Sequence, residues 1–232
     1  MYKILKQSEL TESTIIKPNT LIHGDCLEVM KSIPDGSVDL ILQDPPYNTT
    51  ACKWDWDIMK YIDKFWSEWK RIIKPNGAIV MTASQPFTTR LIASNYEMFK
   101  YELIWQKGRA SGHLHAKNKP LKAHENIAVF SKGTTVHASQ SKNRMNYIPQ
   151  MTDGAPYKRT HKTVNTGNLN HFPSKSNLDF IGTNNSNNGA RYPVSVVKFK
   201  NHNVGNISPT QKTRSTYGIP NKNLHKQRRN CF

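Results

Sequence analysis

Val38-Asp39-Leu40-Ile41-Leu42-Gln43-Asp44-Pro45-Pro46-Tyr47-Asn48 is the stretch that decides the fold class. Its first five residues read as a buried strand. Gln43 to Asn48 can neither continue that strand nor begin a helix, because two consecutive prolines fix φ and remove two backbone donors. The segment is therefore a rigid turn at a strand end, with the carbonyls of Asp44 and Pro45 left as acceptors. Asp44 sets a carboxylate at its rim and Tyr47 an aromatic face, a pair suited to a planar group that carries an amine. In an open α/β sheet, ligands bind beyond the carboxyl ends of the strands, which is where this turn lies. A bare Asp-Pro-Pro is most often a solvated surface turn. The apolar run before it and the tyrosine after it shift the reading toward a site.

The flanking sequence supports an alternating α/β order. Residues 1–19 are polar and read as an irregular arm. Thr20 to His23 is a short strand, Gly24-Asp25 a turn, and Cys26 to Met30 the start of a helix that stops near Pro34-Asp35-Gly36. After the proline turn, Ile58, Tyr61, Ile62, Phe65, Trp66, Trp69, Ile72 and Ile73 recur at helical spacing, and Lys74-Pro75-Asn76-Gly77 ends that helix. The aromatic stripe is core rather than a cofactor box. Gly77 to Thr82 is a buried strand, Ser84 and Gln85 lie on the same sheet edge as Asp44, and Pro86 is placed to open a helix over Phe87 to Ala93. Phe99 to Lys107 and His124 to Lys132 read as paired strands joined by a polar, basic, glycine-containing loop. Beyond Gly133 apolar residues become sparse; the cluster from Tyr192 to Phe199 argues for an ordered strand, and the run from Gly182 to Gly189 for a loop.

Composition narrows the partners. Lys and Arg number 33 against 16 Asp and Glu, a formal charge of +17, which points to a polyanion, DNA or RNA first. Cys26, Cys52 and Cys231 are widely separated and have no Cys-x-x-Cys spacing, so neither a zinc knuckle nor a disulfide framework is indicated. His113-x-His115 lacks a third close ligand, and no metal is expected. No segment approaches the roughly 18 consecutive apolar residues of a membrane span, and the expectation is a soluble, cytoplasmic protein.

On these residues the chain resembles the amino-directed DNA methyltransferases, which methylate the exocyclic amine of adenine or cytosine and carry Asp/Ser/Asn-Pro-Pro-Tyr/Phe/Trp at this place. The resemblance implies that Asp44 and the carbonyl of Pro45 accept the two amine hydrogens, that Pro46 stiffens the turn, and that Tyr47 stacks on a base swung out of the duplex. It further implies S-adenosylmethionine as methyl donor. Asp25, in Gly24-Asp25-Cys26-Leu27, would meet the donor's adenine; the alternative, equally weighted and compatible, is an N-cap. Asp44 also belongs to the implied donor site. So do Thr210, Gln211 and Lys212, in a Ser208-Pro209-Thr210-Gln211-Lys212 segment similar to the family's His-Pro-Thr-Gln-Lys-Pro.

Double-stranded DNA is the expected partner. Lys53 and Trp54 stand on a loop where an aromatic beside a cation suits base stacking and phosphate contact, and Lys107, Lys117 and Lys119 belong to the basic hairpin. A homodimer and a cognate restriction endonuclease are further partners that the resemblance leaves open. The expected divisions are an arm over 1–19, a catalytic α/β region over 20–132, a target-recognition region over 133–206 and a donor segment with a basic tail over 207–232. In the family's permuted order the segment at Lys212 leads to a glycine-rich donor loop, and residues 213–232 hold no Gly-x-Gly. The expectation is thus an incomplete Rossmann-like methyltransferase sheet with an inserted or appended basic region, and weak donor binding by this chain alone. Its expected activity is site-specific methylation of adenine in DNA, Asp44 favouring adenine over cytosine. The competing readings are a non-catalytic DNA-binding remnant and an unrelated basic nucleic-acid protein.

Overall fold

The computed structural model describes residues 3–11, 16–50, 52, 55–136, 142–160 and 184–199. The polar start of the chain is not wholly irregular: β1 (Lys3–Lys6) runs parallel to β2 (Thr20–His23) in a sheet of two strands. Helix α1 (Cys26–Lys31) follows, capped by Asp25, whose Oδ1 accepts from the amides of Leu27 and Glu28 at 2.9 and 3.2 Å. Then come β3 (Val38–Gln43), α2 (Ile62–Ile72), β4 (Ile73–Ala83), α3 (Phe87–Ser94), β5 (Phe99–Ser111) and β6 (Lys122–Phe130).

Further on, β7 (Thr152–Asp153), β8 (Tyr157–Thr160), β9 (Asn184–Asn187) and β10 (Ala190–Arg191) belong to a second compact unit spanning Pro149–Pro193. The last strand, β11 (Val196–Phe199), returns to the first unit. The main sheet therefore draws one strand from inside the 133–206 interval. The run from Gly182 to Gly189, expected as a loop, contributes β9, which pairs antiparallel with β8. Gly189, at φ +110°, supplies the turn into β10.

The main sheet has the order β11-β5-β6-β4-β3. Strands β3 and β4 are parallel, β6 is antiparallel to β4 and β5, and β11 is parallel to β5. The carboxyl ends of β3, β4 and β5 thus meet the start of β6 on one edge. Among the described residues β3 is the margin of this sheet.

From Gly77 to Ala83, β4 is apolar at nearly every position because both faces are covered. Ile79, Met81 and Ala83 join the helix-side core with Met30, Trp66, Trp69, Phe87 and Leu91. Ala78 and Val80 join a smaller core with Leu40, Trp105, Ile127, Val129 and Met145. Helix α2 buries Ile62, Phe65, Trp66, Trp69 and Ile72, with the Trp66 and Trp69 rings edge to face at 5.1 Å. Arg71 reaches from its last turn to the carbonyls of Met30 and Ile33, at 2.6 and 2.7 Å, and so ties α2 to the segment in which α1 ends.

The helix is shorter at both ends than its periodicity suggests. Ile58 to Lys60 form a separate 3₁₀ turn, and Lys74-Pro75-Asn76-Gly77 extend β4 instead of closing a loop. Ile73 already pairs with Val38, and the register shift before Leu40↔Ala78 absorbs the proline. Replacing Trp69, 2% exposed, with alanine should cost about 3–5 kcal/mol. Urea unfolding followed by circular dichroism reads this directly as a lower midpoint.

Candidate active site

The parallel register that pairs Leu42 with Val80 and Gln43 with Met81 brings the next residue, Asp44, beside Thr82. The buried Thr82 hydroxyl donates to Asp44 Oδ1 at 2.5 Å. The Tyr47 hydroxyl donates to the same oxygen at 3.1 Å and lies 3.5 Å from Oε2 of Glu125. Pro45 is buried beneath the turn while Asp44 is exposed. Tyr47 stacks on Phe87 of α3, with ring centroids 5.4 Å apart and planes 22° from parallel. Burial pushes its phenol far above the usual tyrosine range, and the charges of Asp44 and Glu125 add to the effect. Tyr47 thereby keeps its single hydroxyl hydrogen, which it donates to Asp44 with Glu125 at the limit of hydrogen-bond reach.

Glu125, at 9% exposure, is ion-paired with Lys107 on the adjacent strand. The residue opposite Glu125 is Trp105, so Lys107 stands two residues along on the same face, and its ammonium lies 5.4 Å from the Trp105 ring centroid. Next along β6, the Asn126 amide donates to Glu102 at 3.0 Å and accepts from Thr88 at 3.2 Å. The polar edge therefore ties α3, β5 and β6 to the turn.

A second device holds the chain that leaves the turn. Asn48 takes φ +54°, and the carboxylate of buried Asp55 accepts the amides of Asn48, Thr49 and Thr50 at 2.6, 2.7 and 2.6 Å. Burial alone would raise the Asp55 carboxyl. The Thr50 side chain and these three amides outweigh it and hold the group below the ordinary aspartate value.

The four turn residues thus sit together at the sheet edge. Asp25 stands at the end of β2, its Oδ1 engaged in the helix cap. Lys107 is turned inward onto Glu125 instead of outward, because the buried carboxylate needs a counter-charge. Lys117 and Lys119 are exposed on the hairpin. Lys53, Trp54, Thr210, Gln211 and Lys212 lie outside the described residues. Gln85 serves α3, its Oε1 accepting from the Thr89 hydroxyl at 2.8 Å. In the second unit Arg191 is engaged internally: its guanidinium lies 4.6 Å from the Tyr157 ring and donates to Ala155 and Asn187, both at 2.5 Å. Sequence reasoning missed Thr82, Phe87 and Asp55. Thr82 carries a faint signal as the one polar side chain between Ala78 and Ala83, whereas Asp55 in a Trp-Asp-Trp-Asp run gives none.

A family model for DNA methylases of the N6/N4 type matches residues 38–218. The chain belongs to that family. Among its curated relatives it is 29% identical over 130 residues to the Type II methyltransferase M.BglII of Bacillus subtilis, covering 49% of this chain and 35% of that one. To the Type II methyltransferase M.HinfI of Haemophilus influenzae it is 32% identical over 114 residues, covering 38% of this chain and 32% of that one. The chain spans about a third of the length of these curated relatives. A solved structure, PvuII DNA methyltransferase (cytosine-N4-specific), shares the fold with a TM-score of 0.55 at 12% identity, over 88% of this chain and 70% of that one.

Asp55→Asn should lower stability at neutral pH by about 1–3 kcal/mol, the scale of lost charge-assisted bonds. Because the folded carboxyl titrates below its free-chain value, its contribution is complete above about pH 4 and disappears as pH falls through the folded pKa. Urea midpoints of wild type and variant should therefore converge only in that acid range.

Proposed function

We propose that this chain handles the target base of a site-specific DNA methyltransferase, which moves a methyl group from S-adenosylmethionine to the N6 amine of adenine in double-stranded DNA. One observation carries the reading: Asp44 is exposed at the carboxyl end of β3 with one oxygen fixed by Thr82 and Tyr47. An exocyclic amine is a weak nucleophile because its lone pair is delocalised into the ring. Acceptors already oriented toward its hydrogens, the Asp44 carboxylate and the Pro45 carbonyl, favour the positive charge that develops on nitrogen without reorganising as it does so. The target base would leave the stack and lie against Tyr47 on the face opposite Phe87. An anionic acceptor at the head of the turn, as in the adenine-directed members that this motif resembles, supports adenine over cytosine.

The donor would bring an electrophilic methyl group on a sulfonium. The chemistry of the described residues suits it: Asp25 and Asp44 put exposed carboxylates at the ends of β2 and β3, where a purine amine and a cation find negative charge. Thr210, Gln211 and Lys212 would complete the set. Lys53, Lys117 and Lys119 would meet phosphates, with Trp54 against a base. Among the described residues no helix is long and apolar enough to cross a membrane.

Incubation with duplex DNA and tritiated S-adenosylmethionine tests the proposal. Asp44→Ala should reduce methyl incorporation by about 10³-fold while leaving duplex affinity within about twofold. Nucleoside digestion of the product should yield N6-methyladenine; N4-methylcytosine would redirect the base assignment. Duplex binding without any methyl incorporation by the wild-type chain would favour the non-catalytic remnant.

A further inference from the structure

The loop between β5 and β6 displays Leu114, which at 97% exposure is the most exposed large apolar side chain among the described residues. Single exposed leucines are ordinary. The setting of this one is not. Strands β5 and β6 pair as far as Ser111 and Lys122, and Gly112 then turns the chain at φ +94°, a conformation that glycine adopts without strain. Residues His113–His115 form a 3₁₀ turn, and the amides of Ala116, Asn118 and Lys119 close onto the carbonyls of His113 and His115 at 2.9–3.1 Å. Leu114 is therefore presented by a hydrogen-bonded tip.

Everything around that tip is neutral or basic. Residues 107–122 include Arg109, Lys117, Lys119 and Lys122 and no Asp or Glu. At the neck, half-buried Lys122 lies between the charges of Lys107 and Lys119. Burial depresses its ammonium, the two lysines add to this, and Glu125 opposes it. The exposed Lys117 and Lys119, with Lys122 at the neck, suit a polyanion that lies across them. The base of the hairpin is the candidate site itself, since Glu125 is the residue facing the Tyr47 hydroxyl. Lys122 is three residues, about 10 Å of extended strand, from Glu125.

We infer that the hairpin enters a groove of duplex DNA, with Lys119 and Lys122 on flanking phosphates, and that Leu114 is a wedge filling the space that the extruded nucleotide leaves in the stack. The inference rests on the DNA methyltransferase reading, in which a base must turn out toward Asp44. Apolar side chains inserted between base steps are an established way of holding unstacked DNA, and a leucine offers the necessary bulk with no polar group to desolvate.

Fluorescence anisotropy with the full chain tests the wedge on two labelled duplexes of the same mixed sequence, one intact and one with a single abasic site. Pre-existing loss of a base removes the unstacking cost, so wild type should bind the abasic duplex about tenfold more tightly. Leu114→Ala should reduce that preference to about twofold or less with little change in affinity for intact DNA, and Leu114→Phe should keep it. The tip is solvent-exposed, so neither substitution disturbs a core. A preference that survives in Leu114→Ala, or is absent from wild type while intact duplex is bound, overturns the wedge and leaves the methyltransferase reading standing. Absence of salt-sensitive duplex binding by wild type overturns both.

Discussion

The hydrogen bond from Thr82 to Asp44 is the constraint on which the site depends. An exposed carboxylate at a loop tip is ordinarily solvated and samples several rotamers. The backbone of this turn cannot restrict it, because Pro45 and Pro46 offer no ladder donor. Orientation must come from a neighbouring strand, and the parallel register of β3 against β4 supplies it. A slip of one residue would turn the Thr82 hydroxyl to the opposite face and set Ala83 or Met81 in its place. The apolar sequence of β4 guards against that slip, because Ile79 and Met81 belong to one core and Ala78 and Val80 to the other. Core packing and site geometry are here the same requirement.

A buried ion pair sits next to this arrangement. Removing Glu125 and Lys107 from water is costly, and an apolar pair of similar volume would serve stability equally well. What an apolar pair could not do is face the Tyr47 hydroxyl with an acceptor. With Asp44 on one side and Glu125 on the other, the phenol is held between two negative groups while its ring is pressed on Phe87. The tyrosine is thereby fixed by its edge and one face. A planar ligand approaching the turn would meet a surface that need not reorganise.

Much of this was legible in the sequence. The strand before the proline turn, the aromatic stripe of α2 and the pairing of β5 with β6 all follow from periodicity, because each element buries a regular set of side chains. The boundaries were less so. Lys74-Pro75-Asn76-Gly77 has turn composition, yet it runs as strand because Ile73 is already paired with Val38. The Asp-Pro-Pro-Tyr turn could be named from its residues, but the groups that orient it could not. Thr82 and Glu125 lie far along the chain and meet the turn only through sheet order, and Phe87 reads simply as the start of a helix. The ion pair of Lys107 with Glu125 was hidden for the same reason: it joins adjacent strands through sheet order, and a lysine near a basic loop gives no sign of it. Asp55 was invisible because its partners are backbone amides, which carry no side-chain signature.

The distribution of charge separates an acidic turn from its basic surroundings. A chain with a formal charge of +17 attracts the phosphate backbone wherever its cations are exposed, yet the turn itself presents Asp44 to solvent. A phosphate would be repelled there, whereas an amine that donates hydrogens would be drawn in. The exposed lysines of the β5–β6 hairpin stand on the surrounding surface, and Lys107, which could have reversed the local sign, is neutralised by Glu125. On the function proposed above, the acid at the centre would disfavour a phosphate and favour an amine that donates hydrogens. It can do so because Thr82 and Tyr47 only donate to it, and so they direct its charge without cancelling it.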